Sequence, residues 1–88
     1  MKVNWRKKIE DEMVIHNDNF ENVVYNIAEL PNWLDIEFND SYGSVDGVSF
    51  TLWTKDRVYF PVQYDGREWC KSVPRDPKDE ITHHVGWS

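Results

Sequence analysis

The chain of 88 residues contains one cysteine, Cys70, so no internal disulfide can form. It has only four glycines and four prolines, and it contains no internal repeat and no low-complexity segment. No apolar run approaches the roughly 18 residues of a membrane span, and the first residues lack the apolar stretch of a secretory signal. We therefore expect one globular domain over residues 1–88, located in a reducing cytoplasm and without a membrane partner.

Positive charge is missing from the middle of the chain. Lysine and arginine are absent between Ile9 and Thr54, whereas ten acidic residues lie there, and the net charge is −6. Such a surface repels the phosphates of nucleic acids and membranes and attracts a basic partner. The alternative is that the charge serves solubility alone.

Two helices are predicted before Pro31. Asn4 is a suitable N-cap for the first, in which Trp5, Ile9 and Met13 recur at a spacing of four and form an apolar stripe.

The second predicted helix begins after Asp18, because Asp18 followed by Glu21 resembles a capping box. Apolar side chains at positions 20, 23, 24 and 27 then follow helical spacing, and Pro31 ends the element.

Alternating apolar and polar residues predict four strands after Pro31. They are Leu34–Phe38, Val48–Thr54, Val58–Tyr64 and Arg67–Val73. The predicted fold is α+β: two N-terminal helices packed on one face of a four-stranded antiparallel meander, with a short C-terminal helix from Pro77 or a tail.

The register of this meander depends on its turns. A three-residue loop over Lys55–Arg57 pairs Leu52 with Phe60 beneath the helices. The Asp-Gly turn at 65–66 pairs Val62 with Trp69 on the same side. The predicted core accordingly contains Phe20, Val23, Ile27, Phe50, Leu52, Phe60, Val62 and Trp69.

The opposite face of the sheet then carries Trp53 beside Tyr59, together with Pro61 and Cys70. Pro61 cannot donate to a strand ladder, so we expect it at a bulge or where its side of the strand lacks a partner. Either this face is open, or the C-terminal segment with Ile81, Val85 and Trp87 folds back over it.

Signals for catalysis are weak. Cys70 lies mid-strand, which favours a structural thiol over a nucleophile. His83 and His84 are adjacent and would need further metal ligands such as Asp79 or Glu80. Asp35 and Glu37 alternate on a predicted strand, where solvated carboxylates are expected rather than an acid–base pair. We expect neither catalysis nor a metal or other cofactor.

The favoured interpretation is a small, acidic, non-enzymatic binding or inhibitor protein that docks on a basic and possibly nucleic-acid-binding protein. Its size and charge are typical of inhibitors that phages and mobile elements encode. The partner-binding residues would be Asp35, Glu37, Asp40, Asp46, Trp53 and Tyr59.

Three alternatives stay open. One is a structural or assembly subunit of a larger particle, which uses its sheet edge or aromatic face. Another is a small-ligand binder that uses the aromatic face. Direct nucleic-acid binding is disfavoured because aromatic stacking platforms come with a basic groove. A homodimer is compatible with each of these interpretations.

Overall fold

The structure, a computed structural model, describes residues 2–40 and 45–84. It is an α+β fold with one helix and two antiparallel sheets. The strands are β1 (Lys2–Val3), β2 (Val23–Ala28), β3 (Phe38–Asn39), β4 (Phe50–Thr54), β5 (Arg57–Tyr64) and β6 (Arg67–Pro74). The helix α1 spans Trp5–Ile15, and a 3-10 turn spans Phe20–Asn22. Strands β1 and β3 form the small sheet, and the large sheet has the order β2-β4-β5-β6.

Helix α1 confirms the first predicted helix in its N-cap and its buried stripe. The Asn4 side chain accepts a hydrogen bond from the Lys7 amide at 2.9 Å, which satisfies one of the free N–H groups of the first turn. Trp5, Ile9 and Met13 are almost completely buried. The helix has 11 residues, too few to cross a bilayer, and the described ranges contain no other candidate for a membrane-spanning helix.

The second predicted helix is wrong. Asn19, not Asp18, caps a single 3-10 turn, and the chain then enters strand β2. The sequence of β2 is VVYNIA, in which β-branched and aromatic residues favour a strand even though their spacing also fits a helix. Strand β2 takes the edge position that the prediction assigned to Leu34–Phe38, and of that segment only Phe38 lies in a strand.

The core lies between α1, the segment before β3 and one face of the large sheet. Trp5 contacts the rings of Phe38 and Phe50, with centroids 5.0 and 4.8 Å away, and donates its indole N–H to the Val48 carbonyl. Trp33 stacks on Phe50, with ring centroids 4.6 Å apart. The remaining buried members are Ile9, Met13, Leu52, Tyr59 and Cys70.

The predicted core is correct for Phe50 and Leu52, and Val62 is buried as predicted, although outside the core cluster. The prediction is wrong for Ile27, which is 55% exposed. Phe20 and Val23 are partly buried against the core, while Phe60 and Trp69 are half-buried outside the core cluster.

The turn between β4 and β5 has two residues rather than the predicted three. Leu52 pairs with Tyr59 and Trp53 with Val58, one residue away from the expected register. The Thr54 hydroxyl accepts the amides of Asp56 and Arg57, at 3.2 and 3.0 Å, and so tightens the turn. The predicted pairing of β5 with β6 is confirmed, and Asp65 and Gly66 both have positive φ, as a type I′ turn requires.

Pro61 lies where the pairing of β4 with β5 has ended. The last of these pairs joins Leu52 to Tyr59, and Pro61 is paired only with Cys70 of β6. Along β5 the backbone groups of successive residues point alternately toward β6 and toward β4. Counting back from the Asp65–Gly66 turn, the nitrogen of Pro61 points toward β4, where it has no strand partner. The missing N–H therefore leaves the ladder intact, as the sequence suggested.

The described tail, residues 75–84, contains no helix. The side chain of Glu80 ties it to Arg57, whereas Ile81 is 82% exposed. Ile81 therefore does not cover the sheet, and Val85 and Trp87 lie outside the described residues.

Candidate interaction surface

The face of the large sheet opposite α1 is the candidate surface, and we call it the outer face. The strand registers and the alternation of side chains define its members. They are Tyr25, Ile27, Thr51, Trp53, Val58, Phe60, Val62, Tyr64, Arg67, Trp69, Lys71 and Val73, of which Val62 is buried.

Tyr25 and Trp53 form an aromatic pair on the outer face. Their backbones are paired across β2 and β4, and their ring centroids lie 5.5 Å apart at an angle of 43°. Tyr25 is 59% exposed, and Ile27 beside it is 55% exposed. Large rigid side chains that are exposed on a sheet resemble the anchors that carry most of the energy in protein interfaces.

The charge near this pair is negative. Strands β2 and β4 both come from the segment between Ile9 and Thr54, which has no lysine or arginine. Glu21 precedes β2 and Glu29 follows it, and both are exposed, while exposed Lys55 follows β4 at the Glu21 end, where its amide donates to the Asn22 carbonyl. Lys71 lies on β6, at the far side of the outer face. The β2–β4 half is therefore the part of this face that a cationic group would approach first.

Trp53 lies on the outer face, as predicted, but the prediction that Tyr59 lies beside it is wrong. Tyr59 is fully buried, and its hydroxyl donates to the Asp18 carboxylate at 2.7 Å. Burial and this carboxylate both raise the pKa of Tyr59. The one-residue difference in the β4–β5 turn exchanges the two faces of β5, which turns Tyr59 inward and Val58 outward.

Asp40 and Asp46 form hydrogen bonds within the fold. Asp40 is paired with Lys8 at 2.8 Å and also accepts the Glu68 amide at 2.7 Å. Desolvation opposes its charge, but these hydrogen bonds outweigh it and lower the pKa of Asp40. Asp46 accepts the Asn39 amide at 2.8 Å and thereby fixes the segment that leads to β4.

Asp35 and Glu37 lie beside α1, so the prediction that they share a face with Trp53 is wrong. Asp35 forms a two-point ion pair with Arg6, at 2.7 and 2.9 Å. Glu37 lines a shallow cavity of about 290 Å³ together with Lys7 and Lys8. The predicted acidic strand is an irregular segment that passes over the helix, and the six predicted site residues do not form one surface.

A chain of buried polar groups connects α1 to the tail. Ser72 donates its hydroxyl hydrogen to Glu12 at 2.9 Å and accepts a hydrogen bond from Arg57 at 2.8 Å. Arg57 also forms a two-point ion pair with Glu80, at 3.0 and 2.7 Å. His16 contacts Glu12 rather than Ser72. Ser72, His16 and Glu12 therefore do not form a catalytic triad, in which the histidine would accept the serine proton. This network fastens the tail to the edge of β6.

Cys70 is buried, and desolvation raises the pKa of its thiol, which keeps it in the unreactive protonated form. His83 and His84 are exposed in the tail. Within residues 2–40 and 45–84, no group of three or more histidine, cysteine, aspartate or glutamate side chains is placed to hold a metal ion.

Tyr25 and Ile27 are the surface residues that sequence reasoning missed, because it placed both in a helix. The signal that could have identified them is the run of β-branched and aromatic residues in VVYNIA.

Comparison with known proteins gives no further guidance: no protein-family model, no curated protein and no solved structure matches the chain.

Proposed function

We propose that the chain is a non-enzymatic binding protein that docks on a basic protein through the β2–β4 half of its outer face. The observation that carries the proposal is the pair formed by exposed Tyr25 and half-buried Trp53, placed on a sheet face opposite the only described helix. The paired rings provide a rigid anchor, because each ring is held by a strand and loses little conformational freedom on binding.

The charge of the molecule supports the choice of a basic partner. The net charge is −6, and the segment that builds β2 and β4 contains no cation. Long-range attraction of this kind speeds encounter, while the aromatic anchor sets how long the complex lasts. An inhibitory role, in which docking blocks the partner's own contact with an acidic ligand, is the form of this function that the charge favours.

The anchor is tested by replacing Trp53 with alanine. The partner is first captured on the immobilised chain at low salt and identified by mass spectrometry, and binding kinetics are then measured with purified proteins. We expect Trp53→Ala to weaken binding by about 2 kcal/mol or more, roughly 30-fold in Kd, through faster dissociation. The melting temperature should change little, because the ring lies outside the core.

Tyr64→Ala is the matched control, because Tyr64 is also a largely exposed aromatic but lies at the far end of β5. It should leave the affinity within a few-fold of the parent. If both variants weaken binding alike, the anchor is not at Trp53.

The steering role of the charge is tested by Glu21→Gln, with Asp11→Asn, at an exposed position of α1, as a control of equal charge change. We expect only Glu21→Gln to slow association markedly and to reduce its dependence on salt. Equal effects of the two variants would mean that the partner does not approach the β2–β4 half.

A further inference from the structure

The two edges of the large sheet differ. Strand β6 carries charges at Arg67, Glu68 and Lys71, ends in Pro74, and has its Ser72 carbonyl occupied by the Arg57 side chain at 3.2 Å. Charges and proline are the devices by which proteins keep an edge strand from pairing with another chain. The β6 edge is therefore closed.

Strand β2 has none of these devices. Its six residues carry no charge and no proline, and Val24, Tyr25 and Ile27 are each more than half exposed. The register with β4 shifts between Val23 and Tyr25, so the bulge lies at the start of the strand and the part from Tyr25 onward is regular. A cavity of about 560 Å³ runs beside this part and is lined by residues 26–35 and by Arg6, whose charge is paired with Asp35.

The direction of the backbone groups on β2 follows from one hydrogen bond. The Glu29 amide donates to the Ser49 carbonyl at 3.3 Å, so Glu29 faces β4. By alternation along an antiparallel ladder, Ile27 and Tyr25 also face β4, while the N–H and C=O groups of Asn26 and Ala28 point to the open edge.

We propose that a second copy of this chain pairs with that edge, joining β2 to β2 in antiparallel orientation around a two-fold axis at Ile27. Asn26 then exchanges hydrogen bonds with Ala28 of the other copy, and Ala28 with Asn26, which gives four backbone bonds. Ile27 faces its own counterpart across the axis. This pairing uses only the regular part of β2 and produces one continuous eight-stranded sheet.

A second β2 strand complements this edge better than a charged strand from a different protein would. The strand is uncharged and apolar on its exposed side, so an identical strand complements it without an unmatched charge. Each chain has one open edge, so the pairing closes as a dimer instead of growing into a fibre. Both copies carry the charge of −6, so salt should strengthen the dimer by screening their repulsion.

The experiment is sedimentation of the full chain over a range of protein concentrations at low and high salt, with paired charge variants of Ile27. The parent should form a dimer that strengthens with salt. Ile27→Lys and Ile27→Glu should each be monomeric, because like charges face each other at the axis. Mixing the two variants should restore a dimer, which a merely unfolded variant could not do.

Ile81→Lys is the control, since Ile81 is an exposed isoleucine in the tail, and it should dimerise like the parent. Amide exchange gives a second test: the Asn26 and Ala28 amides should become protected as concentration rises, whereas the Ile27 amide should be protected throughout. A parent that stays monomeric at every concentration, or a mixture that stays monomeric, overturns the proposal. The same experiment does not test the docking function, because salt is expected to weaken docking and to strengthen this dimer.

Discussion

Glu68 shows how this chain uses its acidic residues. Its carboxylate is almost fully buried and accepts the amides of Asp46 and Gly47 at 2.8 and 3.1 Å. Asp18, Glu29, Asp40 and Asp46 also accept backbone amides. Many of the acidic side chains therefore accept hydrogen bonds from backbone N–H groups in irregular segments, where no strand ladder supplies a carbonyl partner.

Gly47 provides the prediction at this scale. A Cβ atom there would lie 2.8 Å from a Glu68 carboxylate oxygen and 3.0 Å from the Phe38 ring. We expect Gly47→Ala to lower the free energy of unfolding by about 1–3 kcal/mol, because either contact must shift in a packed site. Denaturant unfolding measures it, and Ser49→Ala, at an exposed position two residues on, should cost far less. Equal stability of Gly47→Ala and the parent would contradict the placement of Glu68.

At the scale of elements, Asp18 fastens the β4–β5 hairpin to the end of α1. One carboxylate oxygen accepts the hydroxyls of Thr54 and Tyr59, both at 2.7 Å, and the other accepts the Asn19 amide. Desolvation opposes the charge, but the hydrogen bonds from Asn22, Thr54 and Tyr59 outweigh it and lower the pKa of Asp18.

The pH dependence of stability follows from this shift. An aspartate in the unfolded chain has a pKa of about 3.9, and the folded value lies below it. The stabilisation is therefore complete above about pH 4 and is lost as the pH falls through the folded pKa. We expect Asp18→Asn to cost on the order of 2 kcal/mol at neutral pH, and its deficit to shrink below about pH 4.

Thermal melts of both proteins between neutral and acidic pH measure this effect. Asp11→Asn, which removes an exposed surface pair with Lys7, should change stability little at any pH. A deficit for Asp18→Asn that stays constant with pH would show that the ionised carboxylate is not the group that matters.

The elements also show what the sequence could predict. Helix α1 was predictable because its cap and its apolar stripe agree, and the β5–β6 hairpin because Asp-Gly specifies its turn. Strand β2 was not predictable from spacing, because the apolar residues between 20 and 27 fit both a helix and a strand. The pairing with β4, a tertiary contact, decides between the two. The β4–β5 turn carries no such specific pair. The Thr54 hydroxyl accepts the nearby Arg57 amide and donates to Asp18, and the contact with Asp18 is distant in sequence.

At the scale of the whole molecule, one turn decides which aromatic residues are available to a partner. The two-residue turn between β4 and β5 places Tyr59 in the core and leaves Trp53 outside with Tyr25. The acidic strand predicted from Asp35 and Glu37 passes over α1 instead, so the aromatic part of the predicted site is retained only at Trp53. The exposed acidic residues Glu21 and Glu29 flank β2, which carries Tyr25 and which was predicted to be part of a helix.

Hydroxyl-radical footprinting of the aromatic side chains, in the free chain and in the complex with its captured partner, tests this arrangement most directly. In the free chain we expect rapid oxidation of Tyr25, slower oxidation of Trp53, and protection of Trp5 and Tyr59. In the complex, Tyr25 and Trp53 should become protected, while Tyr64 should keep its rate. Rapid oxidation of Tyr59 in the free chain, or unchanged oxidation of Tyr25 and Trp53 in the complex, would contradict the account.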